Sequence, residues 1–125
     1  MIEIIKTENE DAVRGFCECS NLLYADDFEA YTALDRNEMI GYCIFQLRDL
    51  LTVVDARAKE EYGAELCDGL VRAVLNHACN NGVNTAVFSD RFNIETWKKL
   101  QAFGHNVKTV KDIDNFLTNC KKCAH

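Results

Sequence analysis

Two thiols and an imidazole crowd the end of the 125-residue chain, in Cys120-Lys121-Lys122-Cys123-Ala124-His125. Cysteine sulfur and imidazole nitrogen are soft-metal donors, so this is the densest set of candidate ligands in the sequence. A tetrahedral site needs a fourth ligand, and no second Cys-x-x-Cys supplies it. No metal is therefore expected, and Cys120, Cys123 and His125 read as a frayed tail with exposed thiols. Other groups able to move a proton are scattered: Tyr24, Tyr31, Tyr42, Tyr62, His77 and Ser89. Spacing singles out none of them. The remaining cysteines, Cys17, Cys19, Cys43, Cys67 and Cys79, fall inside patterned apolar segments, where a thiol serves as a small buried hydrophobe.

Charge and hydropathy narrow the partners. With 14 Lys+Arg against 20 Asp+Glu, the net charge is −6, which opposes nucleic-acid binding because that rests on neutralising phosphates with cations. A local phosphate site is still compatible with it. The longest apolar runs, such as Leu50 to Val54, fall far short of the roughly 18 residues that cross a bilayer, so no membrane span is expected. Met1 to Lys6 is too short and too charged for a secretory signal, so the chain is expected to stay in the cytoplasm with its thiols reduced. No repeat, low-complexity tract or linker divides the sequence, and it contains no Pro. One domain over residues 1–125 is the simplest organisation.

These candidate groups must be held by regular elements. Met1 to Lys6 alternates weakly and reads as a strand, and Thr7-Glu8-Asn9-Glu10 has the capping-box spacing that opens a helix bearing Val13, Phe16, Cys17 and Ser20 on one stripe. Phe28 to Leu34 and Met39 to Leu47 read as an antiparallel hairpin around Asp35-Arg36-Asn37-Glu38. Gly41 within its second arm marks a bulge or a close backbone approach. Leu50 to Val54 is apolar enough for a strand covered on both faces. From Tyr62 to Asn81 the period becomes helical, with Leu66, Leu70, Val74 and Ala78 in one row, Asp68 and Arg72 paired on the outer face, and Gly82 at the C-cap. Thr85 to Ser89 is a buried strand, and Asn93 to Phe103 a helix ending at Gly104. Strand, long helix, strand makes a right-handed parallel crossover. Farther on, Ile113, Phe116, Leu117 and Cys120 again have helical spacing.

The order of elements resembles the GNAT superfamily of N-acetyltransferases, most closely from Met39 to His105. Ile40-Gly41-Tyr42-Cys43-Ile44 is similar to the family's hairpin strand. Val53 takes the apolar position ending the next strand, Gly63 the second Gly of the Gln/Arg-x-x-Gly-x-Gly/Ala loop, and Asn93 with Gly104-His105 the later Asn and Gly-Phe pair. Ala58 and Glu61 depart from the loop pattern, and His105 replaces the aromatic. The fold the resemblance implies is α/β (α+β), a central mixed β-sheet with antiparallel N-terminal strands, a βαβ unit and flanking helices.

The resemblance further implies acetyl-CoA as co-substrate and a small-molecule or peptide amine as acceptor. Its pyrophosphate would meet the backbone N–H groups of Tyr62, Gly63, Ala64 and Glu65, where a helix start attracts anions, with Val53 and Asn93 beside it. Glu60 and Glu61 oppose an anion there, partly offset by Arg57 and Lys59. The family's general base is a carboxylate near the cofactor strand, for which Asp49 and Asp55 are the nearby acids. Both also suit the punctuation of strand ends. The acid position seven residues after Asn93 is Leu100, which cannot donate a proton. Two alternatives stand beside acetyl transfer: a GNAT-fold module that binds acyl-CoA or a partner without turnover, and a metal- or redox-responsive protein working through its Cys-rich tail. The sequence leaves the oligomeric state open, a homodimer among the options.

Overall fold

A computed structural model describes residues 1–123, with side chains through Thr118. Six strands form one sheet in the order β1-β2-β3-β4-β5-β6: β1 Ile2–Lys6, β2 Phe28–Asp35, β3 Glu38–Leu47, β4 Leu51–Ala58, β5 Ala86–Phe88 and β6 Thr109–Val110. All neighbours are antiparallel except β4 and β5. That parallel pair is joined by the crossover helix α2, Gly63–Asn80. The other helices are α1 Glu10–Cys19, α3 Ile94–Leu100 and α4 Ile113–Cys123. This is the mixed sheet with antiparallel N-terminal strands that the sequence pattern predicts. No helix of the described residues is long and apolar enough to cross a membrane.

The sheet divides the apolar interior in two. Cys43, Phe45, Val53 and Ala56 pack beneath α2 with Leu70, Val74, Leu75, Trp97, Leu100 and Ile113, while Tyr42, Ile44 and Val54 face α1 through Val13, Phe16 and Cys17. Period-two alternation along β3 produces this partition, and the helical row of α2 fits it. The β2–β3 connection is a two-residue turn, with Arg36 at φ 53° and Asn37 at φ 69°, the twist that a tight hairpin needs. Gly41 is required by contact: a Cβ there would lie 2.9 Å from the Arg57 carbonyl and 3.2 Å from Leu70 Cδ1.

Four details differ from the sequence reading. β4 runs to Ala58 rather than stopping at Val54, because β3 offers pairing as far as Gly41↔Ala58 and supports Asp55 and Arg57 in extended backbone. β6 is only two residues long and exists through its pairing with β5, so it carries no local signal. The cap of α1 is Asn9, whose side chain accepts from the Asp11 N–H at 2.8 Å, whereas Thr7 bonds instead to Thr32 across the β1–β2 pair. Cys19 is exposed and Cys79 half-buried, while Cys17, Cys43 and Cys67 are buried as expected.

Candidate active site

The parallel β4–β5 pairing is short. It runs from Leu51↔Ala86 to Val53↔Phe88 and closes with the Ser89 N–H donating to the Val53 carbonyl at 2.9 Å. Beyond this point β5 has ended while β4 continues for five residues. At the same place the β3–β4 register slips, from Phe45↔Val53 to Ile44↔Asp55, so Val54 has no partner and forms a bulge, a device that bends a strand and re-aims its side chains. The Lys59 N–H donates to the Ile40 carbonyl at 2.8 Å. By strand alternation the backbone groups of Ala56 and Ala58 then face away from β3, toward the side that β5 has left.

Asp55 stands at this opening and is 1% exposed. Its Oδ1 accepts the Asn93 N–H at 2.9 Å, tying β4 to the start of α3, and its Oδ2 accepts Arg57 Nε–H at 2.9 Å. Asn93 caps α3, its Oδ1 accepting the Thr96 N–H at 3.0 Å. Asp49, the other carboxylate suggested by sequence, is exposed in the β3–β4 turn at the opposite end of β4. The fold does not bring the two acids together. Leu100 is fully buried beneath α2, so α3 offers no proton donor from that position.

Between β4 and α2 the chain makes a 3₁₀ turn over Glu60–Tyr62 that abuts the helix directly. The Tyr62 N–H donates to the Lys59 carbonyl at 3.0 Å, and the Gly63 N–H donates to the Glu60 carbonyl. Two of the four proposed amide donors are thus engaged within the turn. α2 has no side-chain cap, and the Ala64 and Glu65 amides lie in its first turn, where no preceding helical carbonyl can receive them. Gly63, at φ 68°, has nothing within 4 Å of where a Cβ would be, leaving clearance for an anion. The Tyr62 hydroxyl donates to Asp35 Oδ2 at 2.7 Å and so pins the turn to β2. That bond holds the Asp35 carboxyl below its usual pKa.

Charge works against the anion. Lys59 is paired with Glu38 at 2.8 Å and Arg57 with Asp55, while Glu60, Glu61 and Glu65 surround the helix start. The site thus offers an unpaired β4 edge and a helix start without a side-chain cap, and its acids oppose a diphosphate placed there.

Sequence reasoning misses a hydroxyl pair on the α1 side. Tyr42 and Ser20 share a 2.6 Å hydrogen bond, and Phe16 stacks on the Tyr42 ring at 4.4 Å. Burial pushes the Tyr42 phenol above its ordinary pKa. The pairing of Tyr42 with Arg57 across β3–β4 places it one strand from Asp55, and a shallow cavity of about 200 Å³ lies between Met39–Tyr42 and Arg57–Lys59. An aromatic after Gly41 was visible in the sequence; its partner on α1 was not. Cys120, Cys123 and His125 lie outside the described residues, among which no group of three or more metal-ligating side chains occurs.

No protein-family model matches the chain, and no curated protein matches its sequence. Solved structures do match. A ribosomal-protein-alanine N-acetyltransferase from Brucella melitensis superposes with a TM-score of 0.62 at 15% identity, covering 82% of this chain and 90% of that one. An acetyltransferase of the GNAT family from Staphylococcus aureus gives 0.58 at 12% identity, over 85% and 82% of the two chains. The PaiA N-acetyltransferase of Thermoplasma acidophilum, in complex with coenzyme A, gives 0.51 at 13% identity, over 70% and 78%. At these identities the likeness is one of fold.

Proposed function

We propose that this chain, which has the fold of the GNAT N-acetyltransferases, transfers an acetyl group from acetyl-CoA to the amine of a small molecule or peptide by direct attack in a ternary complex. The observation that carries this reading is the parting of β4 from β5 beyond Val53, with the bulge at Val54 and an unpaired backbone edge at Ala56 and Ala58. Bound acetyl-CoA would supply an activated thioester carbonyl. The edge of β4 orients an extended, amide-bearing arm as an added strand would be oriented, and the Ala64 and Glu65 amides with the dipole of an 18-residue helix hold negative charge. Asp55 takes the proton of the attacking amine as nitrogen bonds to the carbonyl carbon and the carbon–sulfur bond breaks. With Leu100 in the acid position, water protonates the departing sulfur, whose thiol pKa is near ~8.5. That the Brucella neighbour is a ribosomal-protein-alanine N-acetyltransferase supports an amine acceptor in general, and a cytoplasmic setting belongs to the same proposal.

One observation favours a second reading. The engaged Tyr62 and Gly63 amides and the acids at Glu60, Glu61 and Glu65 suit the partner-binding form of a GNAT-fold module without turnover. Thermal unfolding with added acetyl-CoA separates the two. The expected result is a melting temperature that climbs with ligand, by the equivalent of about 2.7 kcal/mol at 100 times the dissociation constant. An unchanged melting temperature at millimolar acetyl-CoA would leave only the second reading.

A further inference from the structure

We propose that Arg57 and Asp55 together form a binding site for a free α-amino acid, the acceptor of the acetyl group, with its carboxylate on the Arg57 guanidinium and its amine at Asp55. The proposal takes its chemistry from the acetyl-transfer reading and its binding site from geometry alone. Asp55 and Arg57 stand two residues apart on β4 and pair with Ile44 and Tyr42 of β3. Paired residues share a face of a sheet, and Ile44 and Tyr42 belong to the α1-side cluster. Both charged side chains therefore project to that face. α1 ends against it, where its C-cap Ser20 meets the Tyr42 hydroxyl at 2.6 Å, and the Arg57 side chain remains 39% exposed. The Asp55 carboxylate, by contrast, is buried. Arg57 compensates it through Nε alone, which donates to Oδ2 at 2.9 Å. Among the described residues, none accepts a hydrogen bond from Arg57 Nη1 or Nη2. These two parallel donors match the geometry of a second carboxylate.

A guanidinium beside a carboxylate is the charge complement of a zwitterion. In a free α-amino acid the ammonium and the carboxylate hang on one carbon, so they can meet Asp55 and Arg57 at once. In a peptide N-terminus an uncharged amide takes the place of that carboxylate, and a polyamine brings a second cation that Arg57 repels. The hollow beside the fork sets the size of the acceptor. Met39, Gly41, Tyr42, Ala58 and Lys59 line it with Arg57, its wall is mostly apolar, and it measures about 200 Å³. That is below the roughly 300–1,000 Å³ of sites for drug-sized ligands, and it suits one small apolar side chain. Lys59 at its rim is neutralised by Glu38 at 2.8 Å, which leaves Arg57 to recognise the carboxylate. The bound amino acid sheds one ammonium proton to solvent and attacks as the neutral amine. Nitrogen bonds to the thioester carbonyl carbon, the carbon–sulfur bond breaks, Asp55 takes the second proton, and water gives one to the sulfur. The products are an N-acetylamino acid and free CoA.

The test uses the full chain and acceptors that differ in the carboxylate: alanine and valine, their carboxamides, and the decarboxylated ethylamine and isobutylamine. Release of CoA from acetyl-CoA is followed for each. The carboxamides have the more readily deprotonated amines, so intrinsic reactivity favours them near neutral pH. We expect the protein to reverse that order, with kcat/KM about 10- to 100-fold higher for the amino acid, the usual worth of hydrogen bonds to a charged group. Arg57→Gln should erase the preference, and Arg57→Lys should restore part of it. Whatever Arg57→Gln does to Asp55 it does for both acceptors, so their ratio reports the carboxylate. Binding is read separately from turnover: valine titrated into the wild-type protein should shift the Arg57 Nε–H resonance saturably, and valinamide should not. A saturable shift with no CoA release would uphold the amino-acid site and refute acetyl transfer. Acceptor-dependent release that ignores the carboxylate would uphold acetyl transfer and overturn the proposal. An Arg57 resonance unmoved by valine, or a preference intact in folded Arg57→Gln, would also overturn it. The two wild-type measurements decide the matter if that variant fails to fold.

Discussion

Asp55 is asked to do two things, and a one-atom change separates them. In Asp55→Asn the side-chain oxygen can still accept the Asn93 N–H, but the group can no longer take up a proton. The account predicts a folded protein whose kcat/KM falls by about 10²- to 10⁴-fold, the usual worth of general-base help, while acetyl-CoA binding is little changed. Steady-state kinetics beside calorimetric binding would check it; a variant that loses stability and affinity in step with its activity would assign Asp55 a purely structural role. The thiols test burial at the same scale. Desolvation pushes the Cys67 thiol up to about 11 and Cys43 well above its ordinary value, so both stay protonated at neutral pH. Of the five cysteines from Cys17 to Cys79, Cys19, exposed at the end of α1, should alkylate first at pH 8, with Cys43 and Cys67 labelled only after unfolding, as read by mass spectrometry. Because these folded pKa values are raised, their contribution to stability is complete below the unfolded value near ~8.5 and is lost as pH climbs toward 11.

At the scale of elements, the central feature is the 3₁₀ turn between β4 and α2, whose form the sequence hides. The helix itself was legible, since Leu66, Leu70, Val74 and Ala78 repeat with its period, and so was the hairpin. The turn was not, because Tyr62 is drawn down by Asp35, a β2 residue 27 positions away, and such a long-range bond leaves no local signature. β4 was legible only as far as its apolar stretch; Asp55 and Arg57 read as a strand end until β3 is seen to pair with them. The acids of the turn lead to a quantitative expectation. One carboxylate about 5 Å from a diphosphate at near-aqueous dielectric costs about 1 kcal/mol, so Glu61→Gln should tighten acetyl-CoA roughly fivefold, with the gain shrinking at high salt. Titration calorimetry at two ionic strengths would show this, and identical affinities for the two proteins would mean that no diphosphate approaches the helix start.

For the molecule as a whole, one sheet serves two faces. α2, α3 and α4 cover one side and fix the opening between β4 and β5 from behind, while α1 covers part of the other and leaves Asp55, Arg57 and Tyr42 near the gap. Asp55, the proposed base, is held by the Arg57 side chain and the Asn93 N–H without any side chain from α3, and Leu100 lies in the core. Positioning of this kind can supply about 7 to 11 kcal/mol of a bimolecular barrier on its own, which is why slow transfer is expected to survive the missing proton donor. The release of free CoA from acetyl-CoA, followed across polyamines, amino acids, aminoglycosides and peptide N-termini, tests this most directly. The account predicts saturable, acceptor-dependent release for at least one class, rising with pH until the amine is neutral and showing no acid limb at higher pH. Saturable acetyl-CoA binding with no release above background for any acceptor in that panel would contradict it.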